Sequence, residues 1–170
     1  MAPKLILFCG IPGSGKTTIA SLVSPALRPS VLVQTDKVRS MITKPSYSHA
    51  ESSFVYSSLE AMGREALKAG YNTLLEGTFP REEYRSKVLR TLSPLAVRSL
   101  VVFVDCEPEL AFGRNAGRQE VVPWESFLRI YTQFEVPRDA VTVDTSAISA
   151  EEAADRVLQE ARREDAPGLL

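Results

Sequence analysis

The chain has 170 residues, 44% of them hydrophobic and 24% charged, with a formal net charge of -1. This is enough chain for one domain with a sizeable core. It carries too little net charge for a chain-wide field that would draw it to nucleic acid or a membrane surface. The charge is uneven, since Glu151 to Asp165 holds six acids against three arginines and leaves the remainder at about +2. The two cysteines, Cys9 and Cys106, each end an apolar run and read as buried, reduced thiols. With a single histidine there is no Cys/His metal cluster. No secretory signal pattern and no bilayer-length apolar run is present, so a cytoplasmic protein without a membrane partner is expected.

The predicted elements alternate strand and helix. Lys4 to Cys9 is a continuous apolar run, as in a strand buried on both faces. A helix is predicted over Lys16 to Leu27, a strand over Ser30 to Gln34 and a short helix over Asp36 to Thr43. Residues 44–50 read as a loop that contains His49. A long helix over about Glu51 to Ala69 follows, closed by Gly70. "YNTLLEG" is the third strand, Arg81 to Thr91 a helix, and "VRSLVVFVD" the fourth strand. Helices over Glu107 to Gly117 and Trp124 to Phe134 flank "RQEVVP". "AVTVDT" is a short fifth strand, and Ala150 to Arg163 an amphipathic C-terminal helix. Such alternation implies a single α/β domain over 1–170, a parallel sheet with helices on both faces.

The chemistry starts at "GIPGSGKTT", residues 10–18. Gly10, Gly15, Lys16 and Thr17 fit G-x-x-x-x-G-K-[ST] between a predicted strand and a predicted helix. Glycines let backbone N–H groups turn inward as a concave nest for phosphate oxygens, and the helix start adds its positive dipole end. Gly13, Ser14, Gly15, Lys16, Thr17 and Thr18 are therefore the candidate nucleotide-binding residues. Lys16 reaches the terminal phosphates, and the Thr17 hydroxyl is a ligand for Mg²⁺ beside ATP or GTP.

Asp36 follows the second strand, on the sheet edge where open α/β sheets bind ligands. Arg39 lies three residues on, on the same helix face. A carboxylate there suits proton removal from an acceptor hydroxyl, and the arginine suits holding the acceptor or the moving phosphoryl group. Glu76 ends the third strand and is the candidate support for Mg²⁺, or an orienter of Arg39. Arg114 and Arg118, four apart where a helix runs out at Gly117, suit a lid over about 107–135 that places guanidinium charge on the triphosphate. Phe134 and Pro137 of "FEVP" read as packing for the second lid helix, and "VDTS" after the fifth strand as the place where backbone meets the base.

Together, "GIPGSGKTT", "QTDKVRSMI", "NTLLEGTFPREEYR" and "RNAGR…FEVP" resemble, in this order, the P-loop kinase domain of polynucleotide kinase and its relatives. Those relatives include small kinases, zeta-toxin-like kinases and chloramphenicol-phosphotransferase-like enzymes. The resemblance covers roughly residues 4–146. It implies a five-stranded sheet in the order 2-3-1-4-5, with Lys16 and Thr17 on phosphate and Mg²⁺. It also implies Asp36 as general base, Arg39 as an acceptor or phosphate contact, and Arg114 and Arg118 as lid arginines. The chain departs from the family where Glu76-Gly77-Thr78 stands in place of a pattern that begins with Asp.

The expected activity is a kinase acting on a hydroxyl, like a polynucleotide 5′-hydroxyl kinase, with a small metabolite, nucleoside or antibiotic as the alternative acceptor. A cationic groove for a strand would draw on Lys37, Arg39 and Lys44, then Arg81, Arg85, Lys87 and Arg90, the last four on what otherwise reads as a solvated helix face. A nucleotide switch or ATPase would need a water-positioning group and a partner-responsive loop, and neither is evident.

Overall fold

Lys4–Cys9 forms β1, with Leu5, Leu7 and Cys9 on one face, Ile6 and Phe8 on the other, and all five buried. A strand so placed needs cover on both sides, and the rest of the chain supplies it. The computed structural model describes residues 3–46, 48–117 and 121–163. β2 (Ser30–Gln34), β3 (Asn72–Glu76), β4 (Arg98–Asp105) and β5 (Val141–Asp144) join β1 in one sheet of order β2-β3-β1-β4-β5, every pairing parallel. The strand order and the parallel α/β sheet match the expectation.

α1 (Lys16–Ala26) and α7 (Ala150–Arg162) cover the face of Ile6, Phe8, Leu74 and Val102. α3 (His49–Lys68) and α4 (Glu82–Leu92) cover the face of Leu5, Leu7, Leu75 and Phe103. α2 (Thr35–Ser40) follows β2 directly. α5 (Pro108–Asn115) and α6 (Trp124–Thr132) close a third small cluster on Phe127, Ala111 and Ile11. Among the described residues, no helix is long and apolar enough to cross a membrane.

Element ends differ from the sequence reading for local reasons. α2 stops at Ser40 instead of Thr43. His49 is the first residue of α3 rather than a loop residue, because the Ser48 hydroxyl caps the helix by accepting from Glu51 N–H at 3.2 Å. The end of α3 is as expected. Gly70 N–H donates to Leu67 O and Tyr71 N–H to Ala66 O, both at 3.0 Å, which is a Schellman closure. The lid helices are each two residues shorter at the C-terminal end than expected.

Arg85 corrects the sequence reading. It belongs to neither a solvated face nor a cationic groove, since it is 1% exposed. Its Nη1 donates to Phe79 O at 2.8 Å, its Nη2 to Glu135 O at 2.6 Å and to Glu82 Oε2 at 2.8 Å, and it lies over the Phe134 ring. Glu135 N–H in turn donates to Pro80 O at 2.8 Å, and Glu82 N–H to Glu135 Oε2 at 2.7 Å. These bonds weld the segment after α6 to the start of α4. Phe134 stacks on Phe103 at 5.5 Å, so it packs as expected.

Removal of Arg85 would leave two backbone carbonyls without partners and a void at the weld. Arg85→Ala is expected to lower unfolding free energy by roughly 2–4 kcal/mol. Lys87→Ala, exposed on the same helix, should stay within about 0.5 kcal/mol of wild type. Urea titration followed by far-UV circular dichroism compares the two, and equal midpoints would contradict the weld.

Candidate active site

Parallel register places the ends of three strands side by side. Phe8 of β1 is level with Glu76 of β3, and Glu76 is level with Gln34 of β2. The residues that follow these ends, from Gly10 and from Thr35, therefore meet along one edge of the sheet. β1 is flanked by β3 on one side and β4 on the other, so this edge is also where the chain order reverses.

The loop after β1 has three glycines with positive φ, Gly10, Gly13 and Gly15, and the first two are also closely packed. Gly10 has φ +150°, and a Cβ there would stand 2.3 Å from Val104 O. Gly13 has φ +81°, and a Cβ there would stand 2.0 Å from Ala111 O. Neither position has room for a side chain, so the loop lies directly against the end of β4 and the first lid helix. Ser14 is fully buried and its hydroxyl has no hydrogen-bond partner. Lys16, 6% exposed, folds back so that Nζ donates to Ile11 O at 2.7 Å. An ammonium group bridging its own loop in this way is arranged to exchange a carbonyl for an anion.

Thr17 Oγ1 donates to Glu76 Oε2 at 3.3 Å, and Gln34 Nε2 donates to the same oxygen at 3.2 Å. Glu76 is 4% exposed, and burial pushes its carboxyl above the ordinary value of 4.5. Asp36 raises it further, while Lys16 and the bonds from Gln34 and Thr17 act the other way. Glu76 thus serves the Thr17 side of the site. A hydroxyl and a buried carboxylate in contact form a hard-oxygen donor pair, the type suited to Mg²⁺, and the glycine cradle with Lys16 suits phosphate. The residues present fit both groups.

Asp36 is exposed in the first turn of α2. Arg39 is ion-paired with Glu51 at the start of α3. Glu51 also accepts from the Ser46 hydroxyl at 2.9 Å. The sequence reading missed Glu51, although "SHAE" has the capping-box spacing. Its carboxylate bonds Arg39 and Ser46 where a capping box would have it bond the Ser48 N–H. Gln34 was also missed, and its signal is a polar side chain ending an apolar strand. Tyr56 is the third residue missed. It stacks on Phe79 at 4.9 Å and Tyr84 at 5.2 Å, and its phenol is pushed up to about 12 by burial.

Arg114 faces the end of β5. Its Nη1 donates to Thr145 Oγ1 and its Nη2 to Thr145 O, both at 3.0 Å. Arg118 lies outside the described residues. Asn115, fully buried, donates to Val122 O at 2.8 Å and accepts from Val122 N–H at 3.2 Å.

A family model described as AAA domain matches residues 5–125, and the chain belongs to that family. Its fold is that of P-loop kinases. A sugar kinase from Janibacter sp. HTCC2649 is 18% identical, with a TM-score of 0.74 over 95% of this chain and 96% of that one. The APS kinase CysC of Mycobacterium tuberculosis, solved with AMPPNP and APS, is 17% identical with a TM-score of 0.73 over 93% and 96%. Kti12 of Chaetomium thermophilum, solved with ADP-AlF3, is 17% identical with a TM-score of 0.72 over 94% and 100%. Pnkp1 appears in a structure of the Pnkp1/Rnl/Hen1 RNA repair complex, one chain of which is 24% identical with a TM-score of 0.67 over 77% of this chain and 43% of that one. No curated protein sequence matches.

Because the folded pKa of Glu76 is raised, its protonated form suits the buried site and its charged form does not. Its contribution to stability is intact below about 4.5 and is lost as pH rises through the higher folded value. Glu76→Gln is therefore expected to melt above wild type at pH 7 in the absence of ligand. The two melting curves should converge as pH falls below about 4.5. Scanning calorimetry across that range checks it, and a lower melting temperature for the variant at pH 7 would contradict it.

Proposed function

We propose that this protein is a Mg²⁺-ATP-dependent kinase that phosphorylates a hydroxyl group of a small molecule. One observation carries the reading: a phosphate cradle with Lys16, an oxygen pair of Thr17 and Glu76, and Asp36 acting on that same carboxylate, all on one sheet edge. The backbone of Gly13 to Thr18 and the start of α1 hold the terminal phosphates, and Lys16 trades Ile11 O for them. Mg²⁺ on Thr17 and Glu76 would supply charge neutralisation at the phosphate oxygens. Asp36 takes the proton of the acceptor hydroxyl. The acceptor oxygen forms its bond to the γ-phosphorus as the bond to the β,γ-bridging oxygen breaks, leaving the nucleoside diphosphate. Arg39, steadied by Glu51, holds the acceptor side. Arg118 is assigned to the transferring phosphoryl group, and Arg114 to the nucleotide side of the lid. The adenine nucleotides in the APS kinase and Kti12 structures support ATP over GTP.

Two observations support a small acceptor over a polynucleotide 5′-end. Arg85 is buried and held by protein groups, and Arg39 is neutralised by Glu51, so the cationic groove loses two members. Met41 and Phe54, 74% and 57% exposed, add apolar surface after Arg39 and one turn beyond Glu51. The second reading, a 5′-hydroxyl kinase, rests on the resemblance and on the exposed Lys37, Lys44, Arg81, Lys87 and Arg90.

Transfer from labelled ATP to a panel of sugars, nucleosides and aminoglycosides, with a short 5′-hydroxyl oligonucleotide at low and moderate salt, tests both. Transfer to the oligonucleotide alone, weakening steeply with salt, would replace the first reading by the second. Slow hydrolysis indifferent to every acceptor would overturn both in favour of a nucleotide switch. Lys16→Ala is expected to abolish transfer. Asp36→Asn should lower kcat by roughly two to four decades with nucleotide affinity unchanged. Collapse of ATP binding in that variant would make Asp36 a nucleotide or metal ligand instead.

A further inference from the structure

Thr145, directly after β5, is 8% exposed and sits where three parts of the molecule meet. Its Oγ1 lies 2.8 Å from Ser14 O and 3.3 Å from Asp105 O, and accepts from Arg114 Nη1 at 3.0 Å. Its own backbone is fixed at both ends, with N–H donating to Asp105 O at 3.0 Å and C=O accepting from Arg114 Nη2 at 3.0 Å. A guanidinium has donors only, so the Thr145 oxygen must accept from Arg114. Its single proton is then left for a carbonyl, and Ser14 O is the nearer of the two. Ser14 cannot hold this peptide through its own side chain, because its hydroxyl makes no hydrogen bond.

A planar trans peptide points its C=O and the following N–H in opposite directions. Anchoring Ser14 C=O on Thr145 therefore turns Gly15 N–H to the far side, away from Thr145. Gly15 stays close to that anchor, since a Cβ on it would stand 3.6 Å from Thr145 Cγ2.

We propose that Thr145 is a positioning residue of the nucleotide site, whose hydroxyl sets the Ser14–Gly15 peptide with its N–H toward the phosphates and seats the lid residue Arg114 on the same oxygen. The inference rests on the nucleotide-binding reading above and extends it to a residue outside the phosphate loop. It makes the Thr145 hydroxyl a determinant of phosphate affinity, separate from any contact that the backbone of 143–146 makes with the base.

The test is titration with a fluorescent ADP analogue in the presence of Mg²⁺, with ATP, ADP and adenosine as competitors. Thr145→Val removes the hydroxyl at nearly constant shape. It removes the bond to Ser14 O together with the one from Arg114 Nη1, and is expected to weaken ATP and ADP by roughly threefold to tenfold and to leave adenosine unchanged. Thr145→Ser should return to within about twofold of wild type, because it restores the hydroxyl alone. If Thr145→Val does not fold, Thr145→Ala is read in its place against the same Ser rescue. Unchanged ATP and ADP affinity in the hydroxyl-free variant would overturn the inference, as would an equal loss for adenosine or a failure of Ser to rescue. Failure of the wild-type protein to bind any of the nucleotides would instead remove the nucleotide reading itself, so the two failures are distinct.

Discussion

A Cβ at Gly13 would lie 2.0 Å from the carbonyl oxygen of Ala111, closer than any pair of non-bonded atoms tolerates. The phosphate loop and the first lid helix therefore approach to backbone contact, and they do so only because residue 13 has no side chain. Everything on the nucleotide side is built on that approach. It lets α5 start immediately over the loop, which brings Arg114, near its end, within reach of Thr145. Thr145 then reaches back to Ser14, one residue from Gly13. The result is a closed circuit of backbone and side chain around the cradle, in which loop, lid and strand end take their positions from one another.

Charge on the opposite side of the loop is arranged by burial. Glu76 lies between one cation, Lys16, which lowers its pKa, and a second acid, Asp36, which raises it. Its carboxylate is removed from water, accepts from Gln34 and Thr17, and feels both Lys16 and Asp36. An uncompensated buried carboxylate is unfavourable without a cation. The divalent ion proposed here would relieve that unfavourable field, and the same field would favour the ion's arrival. Glu76 takes Gln34 as a second partner at 3.2 Å, on the same oxygen that Thr17 reaches.

The sequence made the sheet and the cradle legible because both are written in local pattern. Continuous apolar runs define buried parallel strands, and glycine spacing before Lys16 has few other uses. The strand order came from resemblance, since periodicity does not say which strand lies beside which. Contacts between distant segments were hidden. Arg85 sits among Glu82, Glu83 and Lys87, so its sequence neighbourhood looks like a solvated face. Its burial is decided by Phe79 O and Glu135 O, the second fifty residues away. Glu51 was masked in another way, because a capping-box spacing explained it locally while its partner, Arg39, lies across a loop. Thr145 was visible only as part of a segment near the base, and its role depends on Ser14, 131 residues earlier.

The segment proposed as a lid is tethered at both ends by different chemistry. At its start, Arg114 is held by two hydrogen bonds to Thr145, exchangeable for a ligand's acceptors without disturbing the core. At its end, Glu135 is held by Arg85, whose guanidinium is buried together with Phe79 O. Phe79 itself has φ +43°, an uncommon conformation for a bulky residue, and its ring is locked under Tyr56. Breaking the second tether would expose a buried charge and release a strained backbone. Breaking the first at Arg114 leaves α5 still held where its buried Ala111 meets Gly13. Both ends of the proposed lid are therefore built into the fold, the first on the phosphate loop and the second on the start of α4.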